Sequence, residues 1–379
     1  MIQMKSPFVY GKVASESSFT DREKDCASLV QDFINLTNTI IISPRRWGKS
    51  SLVRRAGEEA SQKDKHLRVC HLDIFNVRNE DEFYEKLAKT IIQGTSSPFE
   101  DFFSTALKYA ASLVPTISAG DMVNTIKLEF KVKDFHRNAD DILDMAEKIA
   151  EEKNLHIVVC IDEFQQIANF SDPLAFQAKL RSHWQLHSRV AYCLYGSRRH
   201  MMIEVFSNKE RPFYQFGKTI FLKKIDARLW PAFIADKFKG TQKSITQEQC
   251  ERIVELTDNN PYYIQRLSEE VWNITDDTCH DNYIQEAFET IVQEQADLNL
   301  SLTQTLTITQ QNLLNAIAHG EKELSSASVI AKYDLKSNVA VQRAKSVLIK
   351  MDIIDNFEKR ITIEDPIYAY WLREIYFYA

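Results

Sequence analysis

A glycine, a lysine and a serine stand together at Gly48-Lys49-Ser50, between an apolar strand-like run, Thr39–Ile42, and a segment with helical spacing. Backbone amides in such a loop and at the start of the following helix point toward bound phosphates, and the helix dipole favours negative charge there. We therefore expect the loop to bind ATP with Mg²⁺. Lys49 would contact the β- and γ-phosphate oxygens, and the Ser50 hydroxyl would occupy one Mg²⁺ position.

The predicted nucleotide-binding segment is the whole loop between strand and helix. Its members are Ser43, Pro44, Arg45, Arg46, Trp47, Gly48, Lys49, Ser50 and Ser51. Gly48 is where the backbone is expected to approach the nucleotide most closely, so that a Cβ would intrude. The first glycine of the usual pattern is replaced by Ser43, and serine tolerates a positive φ poorly. The alternative interpretation is that Lys49 and Ser50 simply begin an ordinary helix. The order of strand, loop and helix favours phosphate binding.

Two acidic residues, Asp162 and Glu163, follow a second apolar run, His156–Ile161. A parallel strand would carry them to the carboxyl edge of its sheet, where ligands of open α/β sheets bind. We expect Asp162 to hold Mg²⁺, directly or through water, and Glu163 to act as general base toward the attacking water. Two solvated acids are the alternative, which the phosphate loop makes the weaker interpretation.

Several further segments share one family's motifs. They are FTDRE at Phe19–Glu23, SPRRWGKSSL at Ser43–Leu52, HLDIFNVRNEDEF at His71–Phe83, IDEFQQI at Ile161–Ile167, YGSRRHMM at Tyr195–Met202, RPFYQFGK at Arg211–Lys218 and DNNPYYIQ at Asp258–Gln265. In this order the chain resembles the prokaryotic, often called archaeal-type, AAA ATPases within the STAND group of P-loop nucleoside-triphosphatases. The resemblance covers most of residues 8–300.

The resemblance implies an AAA+-like core with a parallel five-stranded sheet in 5-1-4-3-2 order, a helical lid and a C-terminal winged helix. It places the segment Phe19–Glu23 near the adenine and ribose. It also implies a catalytic sensor role for Ser197, near the γ-phosphate or the lytic water, and contact between Pro261 and the base. Tyr262 could add an aromatic face beside that proline.

Two departures from the family are visible. Lys218 stands where the family usually has an arginine, and lysine is a poorer bidentate phosphate ligand. Arg198, Arg199 and Arg211 are the available substitutes for an arginine finger, with ordinary surface arginines as the alternative. The lid also lacks the sensor arginine of motor AAA+ proteins, which fits a switch better than a ring motor.

The pattern of elements predicts three domains: an α/β nucleotide-binding core over 1–225, an all-helical lid over 226–299 and a winged helix-turn-helix over 300–379. The predicted strands are Thr39–Ile42, Leu67–Ile74, His156–Ile161, Val190–Tyr195 and Thr219–Leu222. The predicted helices are Asp81–Gln93, Phe99–Leu113, Asp140–Lys153, Arg228–Phe238, Thr246–Leu256, Pro261–Ile274, Tyr283–Asp297, Thr309–His319, Ser325–Lys332 and Asn338–Met351. The piece Val114–Asp134 is predicted as a hairpin or loop.

Composition narrows the class of protein. No apolar run approaches the ~18 residues that a membrane span needs, and the N-terminus shows no secretory signal. The six cysteines form no CxxC pair, so we expect a cytoplasmic protein with reduced thiols. His183 and His187 have a spacing that can bind zinc, but no third ligand is near; a pair on a helix surface is favoured.

The segment Asn338–Lys350 is the candidate for DNA contact. Phosphates would meet Lys336, Lys345 or Lys350, and bases would meet Asn338, Gln342 or Arg343. Residues 300–379 carry nine basic and nine acidic side chains, so they have no net basic field. Two alternatives for the winged helix are an intramolecular cover for the nucleotide and a docking surface for a protein.

These features predict a regulatory ATPase in which Mg²⁺·ATP binding and slow hydrolysis switch the lid and winged helix. One alternative is a DNA-binding regulator, or a mobile-element or defence protein, that uses the winged helix. Another is a nucleotide-bound interaction scaffold without hydrolysis. A protein partner or self-association is also open, and no membrane is expected.

Overall fold

A computed structural model describes residues 5–12, 22–96, 113–118, 127–132, 139–357 and 360–378. The chain divides into two compact units. The α/β unit consists of Arg22–Arg45 and Lys49–Leu222, and the C-terminal unit consists of Met1–Asp21, Arg46–Gly48 and Lys223–Ala379. The predicted domain boundaries at 225/226 and 299/300 stay predictions.

Five parallel strands form the sheet of the α/β unit. In chain order the strands of the protein are β1 (Thr39–Ile42), β2 (Leu67–Asp73), β3 (Leu113–Ser118), β4 (Lys127–Val132), β5 (His156–Asp162), β6 (Val190–Gly196), β7 (Lys218–Phe221), β8 (Ile354–Phe357) and β9 (Arg360–Ile363). The sheet runs β2-β5-β6-β1-β7, and every pairing within it is parallel. Counted along the chain, its strands have the predicted order 5-1-4-3-2, which confirms the fold class.

An antiparallel pair, β3 with β4, overlaps the stretch Val114–Asp134 that is predicted as a hairpin or loop. Leu113 pairs with Val132 and Ser118 with Lys127. The helix predicted over 99–113 falls outside the described residues except at its last position, which belongs to β3.

Each helix of this unit buries apolar side chains. They are α1 (Glu23–Ile34), α2 (Lys49–Lys63), α3 (Glu80–Thr95), α4 (Ala139–Glu152), α5 (Pro173–Trp184) and α6 (Arg199–Ser207). The pattern predicted α2, α3 and α4 but not α1, α5 and α6. α5 buries Phe176, Leu180 and Trp184, one turn apart, so its apolar face is a single narrow stripe.

The C-terminal unit has a core of its own. Its helices are α7 (Trp230–Lys239), α8 (Gln247–Leu256), α9 (Pro261–Ile274), α10 (Asp281–Glu294), α11 (Ala296–Gln304), α12 (Ile308–Ala318), α13 (Ala327–Lys332), α14 (Asn338–Lys350) and α15 (Pro366–Trp371). Thr246 and Gln249 form a capping box on α8, and the Asn260 side chain caps α9 with Pro261 as its first residue. One cluster of buried residues spans this unit from Phe8 to Leu372.

The last part of this unit, three helices followed by a hairpin, has the layout predicted for a winged helix. β8 pairs antiparallel with β9, from Ile354 opposite Ile363 to Phe357 opposite Arg360. Among the described residues, no helix has the length and apolar character needed to cross a bilayer.

Candidate functional site

The loop after β1 takes its shape at two positions of positive φ. These are Arg46, at 65°, and Gly48, at 83°. Ser43, which replaces the usual glycine, is fully buried, and its hydroxyl donates to the Pro44 carbonyl at 3.1 Å. It is not among the positive-φ positions of the described chain, so this departure introduces no left-handed strain. A Cβ built on Gly48 meets no protein atom within 4 Å; backbone conformation is what requires glycine there.

Helix α2 begins at Lys49, directly after this loop. The Lys49 side chain is only 8% exposed, and its Nζ lies 3.6 Å from Oε1 of Glu163. The first four amides of a helix have no partner within the helix, and the dipole makes this end positive. The start of α2 therefore combines backbone donors with a buried cation, which together suit a phosphate group.

The Ser50 hydroxyl and the Asp162 carboxylate meet at the end of β5. Ser50 Oγ donates to Asp162 Oδ2 at 2.7 Å, and Oδ1 accepts from the Glu163 amide at 2.8 Å. Burial raises the pKa of Asp162, although Lys49 and Ser50 oppose that shift. A hydroxyl and a carboxylate oxygen are hard ligands of the kind Mg²⁺ prefers, so this pair fits the predicted metal position.

Glu163 occupies a left-handed backbone position, with φ 55°. Its Oε2 accepts from the Ser197 hydroxyl at 2.8 Å and from the Gln165 amide. Burial alone raises the pKa of Glu163, but Lys49, Gln165 and Ser197 outweigh it and leave the pKa lowered. The carboxylate is therefore held ionised and oriented, as a proton acceptor must be.

Gln165 contacts Glu163 at the site, although its sequence pattern predicts no role for it. It lies inside the IDEFQQI segment, where its spacing two residues after Glu163 was the only available signal. Its neighbour across the sheet edge is Gly196: a Cβ built there would lie 1.9 Å from Gln165 Oε1. Gly196 thus leaves the space in which Gln165 reaches Glu163.

The residues considered as arginine fingers have different surroundings. Arg211 pairs with the exposed Glu204, and Arg199 is buried at the first position of α6. Lys218, at the position of the family's arginine, has its Nζ 2.6 Å from Oδ2 of Asp32 in α1. Lys218 therefore forms an ion pair that links β7 to α1.

The remaining predicted base contact, Pro261, lies in the C-terminal unit, where Asn260 Oδ1 accepts from the Tyr262 amide at 3.1 Å. Its role toward a nucleotide stays a prediction, as do the roles of the loop residues Pro44, Arg45, Trp47 and Ser51.

The histidine pair is more buried than expected of a helix surface. His183 Nδ1 lies 2.7 Å from Asp144 Oδ1, and the His187 side chain, 3% exposed, has its Nε2 3.3 Å from the same oxygen. Within the described part of the chain, no group of three or more His, Cys, Asp or Glu residues could hold a metal ion. All six cysteines are buried and free.

Comparisons with known proteins agree with this fold. A Walker-type ATPase of Pyrococcus abyssi superposes with a TM-score of 0.66 at 20% identity, covering 94% of this chain and 97% of that chain. The ORC2 protein of Aeropyrum pernix in its ADP form superposes with a TM-score of 0.55 at 14% identity, covering 95% of each chain. At these identities the likeness concerns the fold. No curated protein matches the chain in sequence.

Two family models match the chain. Residues 300–374 match a model described as "Probable winged helix domain", which agrees with the predicted C-terminal module. Residues 19–267 match the model described as "ATPase domain predominantly from Archaea", and this match spans more than half of the chain. The match shows that the chain belongs to the family of ATPase domains found predominantly in Archaea; its strand order is that of an AAA+-like P-loop fold, and it carries a winged helix.

Proposed function

We propose that this protein is a regulatory ATPase that binds Mg²⁺·ATP through the loop 43–51 and hydrolyses it slowly. The observation that carries the proposal is the convergence of Ser50 on Asp162 and of Lys49 on Glu163, at the carboxyl edge of the sheet. Support also comes from the Aeropyrum pernix ORC2 protein, whose structure was solved in an ADP form.

Each side chain has a role that follows from its position. Mg²⁺, when bound, would neutralise phosphate charge, and Ser50 and Asp162 would hold it. Lys49 would bind the β- and γ-phosphate oxygens. Glu163 would take the proton of the attacking water, while Ser197 keeps the carboxylate oriented through its hydrogen bond.

Slow turnover is proposed because the family's arginine position is Lys218, whose ammonium group is bound by Asp32. A lysine held in this way does not offer the planar fork that stabilises transferring phosphoryl groups. Slow hydrolysis suits a switch, in which nucleotide binding sets the position of the lid and winged helix and hydrolysis resets it.

The test is ATP binding and steady-state hydrolysis by the purified chain, each with Mg²⁺. Lys49→Ala should abolish measurable binding, whereas Lys148→Ala, at a lysine paired with Asp141 on α4, should leave it unchanged. Glu163→Gln should keep ATP and lose turnover by ~10²- to 10⁴-fold. Equal ATP binding by the Lys49→Ala variant and the original chain would contradict the proposal. ATP binding without measurable hydrolysis would favour a nucleotide-bound scaffold.

DNA binding by the winged helix is a second candidate. Helix α14 buries Val341, Ala344 and Leu348 and leaves Asn338, Val339, Gln342, Arg343, Ser346, Val347 and Lys350 exposed, with no acidic residue along the helix. A face with amide, guanidinium, ammonium and aliphatic groups suits phosphates and base edges. DNA affinity should fall with salt and weaken on Lys345→Glu or Lys350→Glu. If DNA affinity changed neither with salt nor on these lysine substitutions, α14 would be favoured as a protein-docking face instead.

A further inference from the structure

A cleft of about 1060 Å³ lies within the C-terminal unit. Its walls come from α8, α10, α12 and α15, from strand β9, and from residues shortly after α12 and α15. Every residue that lines the cleft belongs to this one compact unit. All four residues of β9, Arg360–Ile363, are among them, so a strand runs along the wall of the cleft.

One backbone edge of β9 has no partner strand in the described part of the chain. β9 pairs with β8 in a two-stranded antiparallel sheet, and the Glu364 amide, directly after β9, donates to the Ile353 carbonyl at 3.0 Å. Bonded positions alternate along an antiparallel pair, so every second residue of β9 turns its N–H and C=O away from β8. Counted from Glu364, these residues are Ile361 and Ile363. No other described residue hydrogen-bonds to their backbone groups, which form the open edge of β9.

The charged side chains of the cleft differ in whether they have partners. Each acidic residue pairs with a cation at 2.6–2.8 Å: Glu255 with Arg252, Asp258 with Lys224, Glu321 with Lys332 and Glu374 with Arg373. Arg360 and Lys322 also line the cleft and are exposed, but neither has an acidic partner among the described residues. The cleft therefore keeps two cations for an anionic ligand, while its own carboxylates are already paired.

The cleft also has an apolar part. The side chains that form it are Leu256, Ile317, Ala318, Pro366, Ala369 and Tyr370. Successive side chains of an extended peptide point to opposite sides. A peptide in which acidic and apolar residues alternate could therefore turn one set toward the cations and the other toward these apolar groups.

We propose that this cleft binds an extended acidic peptide of a protein partner, which adds as a strand to the open edge of β9. Main-chain hydrogen bonds to Ile361 and Ile363 would supply affinity, and Arg360 and Lys322 would select acidic side chains. At ~3.3 Å per residue, the four residues of β9 match a segment of about five residues.

A second copy of this chain is a poorer occupant of the open edge. Pairing β9 with β9 of another copy would bring the unpaired cations Arg360 and Lys322 of both chains together, and like charges in such positions repel. The proposal does not depend on ATP binding, because every residue in it belongs to the C-terminal unit.

The test is fluorescence anisotropy of the full chain with a labelled heptapeptide of alternating glutamate and valine. Two further forms of this peptide carry N-methyl groups, one on the glutamate amides and the other on the valine amides. Only alternate amides of a strand face a given neighbour, so one methylated form should lose binding and the other should keep it. A peptide with lysine in place of glutamate should bind at least ~10-fold more weakly.

Substitutions in the cleft test the charge selection. Arg360→Glu and Lys322→Glu should each raise the dissociation constant of the peptide by about ten-fold, because each replaces a charge-assisted contact with a like charge. The matched control is Lys239→Glu, at an exposed lysine of α7 that does not line the cleft, and it should leave the constant unchanged.

Equal binding of the two methylated peptides would overturn the proposal, because attraction by charge alone does not distinguish them. They are compared on the unsubstituted chain, so this result does not depend on how a variant folds. Equal losses in Arg360→Glu, Lys322→Glu and Lys239→Glu would overturn it too, as would a dissociation constant above ~1 mM for the unmodified peptide. A dimer of the chain that the peptide dissociates would assign the open edge to a second copy instead. No nucleotide is present, so failure here leaves the proposed function standing.

Discussion

The Ser50 hydroxyl donates to the Asp162 carboxylate across 2.7 Å, although 112 residues separate the two in sequence. Ser50 lies in the first turn of α2, and Asp162 is the last residue of β5. Parallel pairing through β6 brings the carboxyl ends of β1 and β5 to the same sheet edge. The contact therefore follows from sheet topology, and it brings together the two oxygen groups that are proposed to hold Mg²⁺.

This pair predicts a specific defect in metal dependence. Ser50→Ala should raise the Mg²⁺ concentration required for half-maximal ATP binding by ~10-fold or more, because one oxygen ligand is lost. Ser50→Thr keeps the hydroxyl and should behave as the unsubstituted protein. The measurement is nucleotide binding titrated with Mg²⁺; a Ser50→Ala curve that overlays the Ser50→Thr curve would remove Ser50 from the metal site.

Adding a side chain at Gly196 is expected to lower catalysis, because Gly196 leaves the space that Gln165 occupies. Gly196→Ala places a Cβ 1.9 Å from Gln165 Oε1 and 2.8 Å from the Met202 sulfur, so Gln165 must turn away from Glu163. We expect kcat to fall by ~10-fold or more, while ATP affinity changes little. The control is the Gln165→Ala background, where kcat is already reduced and Gly196→Ala should add little. A full further loss there would show that Gly196 acts through Met202 or the strand itself.

The strands and the two acids could be predicted because short β-branched apolar runs and the residues that follow them are local signals. Pro261–Ile274 was predicted at its observed limits, since proline after asparagine marks a helix start. The support of Glu163 by Gln165 and Ser197 could not be predicted, because it depends on side-chain direction at the ends of two strands. Arg46 donates a hydrogen bond to Asp365, 319 positions away in sequence. The spacing of apolar residues predicts helices and strands, but it does not predict a contact between residues so far apart.

The Lys218–Asp32 pair predicts a loss of stability and not of turnover. The Asp32 side chain is only 12% exposed, so Lys218→Met leaves a mostly buried carboxylate without its cation. We expect the free energy of unfolding to fall by ~1–3 kcal/mol. Lys218→Arg should retain most of the stability.

The double variant Lys218→Met/Asp32→Asn separates the two parts of this cost, since it removes the buried charge as well. It should recover part of the loss in chemical denaturation. A fall in kcat for Lys218→Met at temperatures where the protein remains folded would contradict a purely structural role for Lys218.

The partly buried imidazole of His71 predicts how stability depends on pH. Burial, and then the nearby Arg54, lower its pKa from the ordinary value to about 4. Its Nδ1 is buried without a hydrogen-bond partner in the described part of the chain, so no hydrogen bond at this atom offsets the shift. Below about pH 6.5 the unfolded chain binds a proton at this histidine and the folded chain does not. The free energy of unfolding must then decrease as the pH falls toward 4.

Between about pH 7 and pH 5 the contribution of His71 should be a loss of ~2 kcal/mol, at 1.36 kcal/mol per pH unit below the ordinary pKa. The measurement is the difference in unfolding free energy between the original chain and His71→Gln at both pH values, which cancels the other titrating groups. The original chain should lose more stability than the variant as the pH falls. Parallel pH profiles for the original chain and His71→Gln would mean that His71 takes up its proton in the folded state as readily as in the unfolded one.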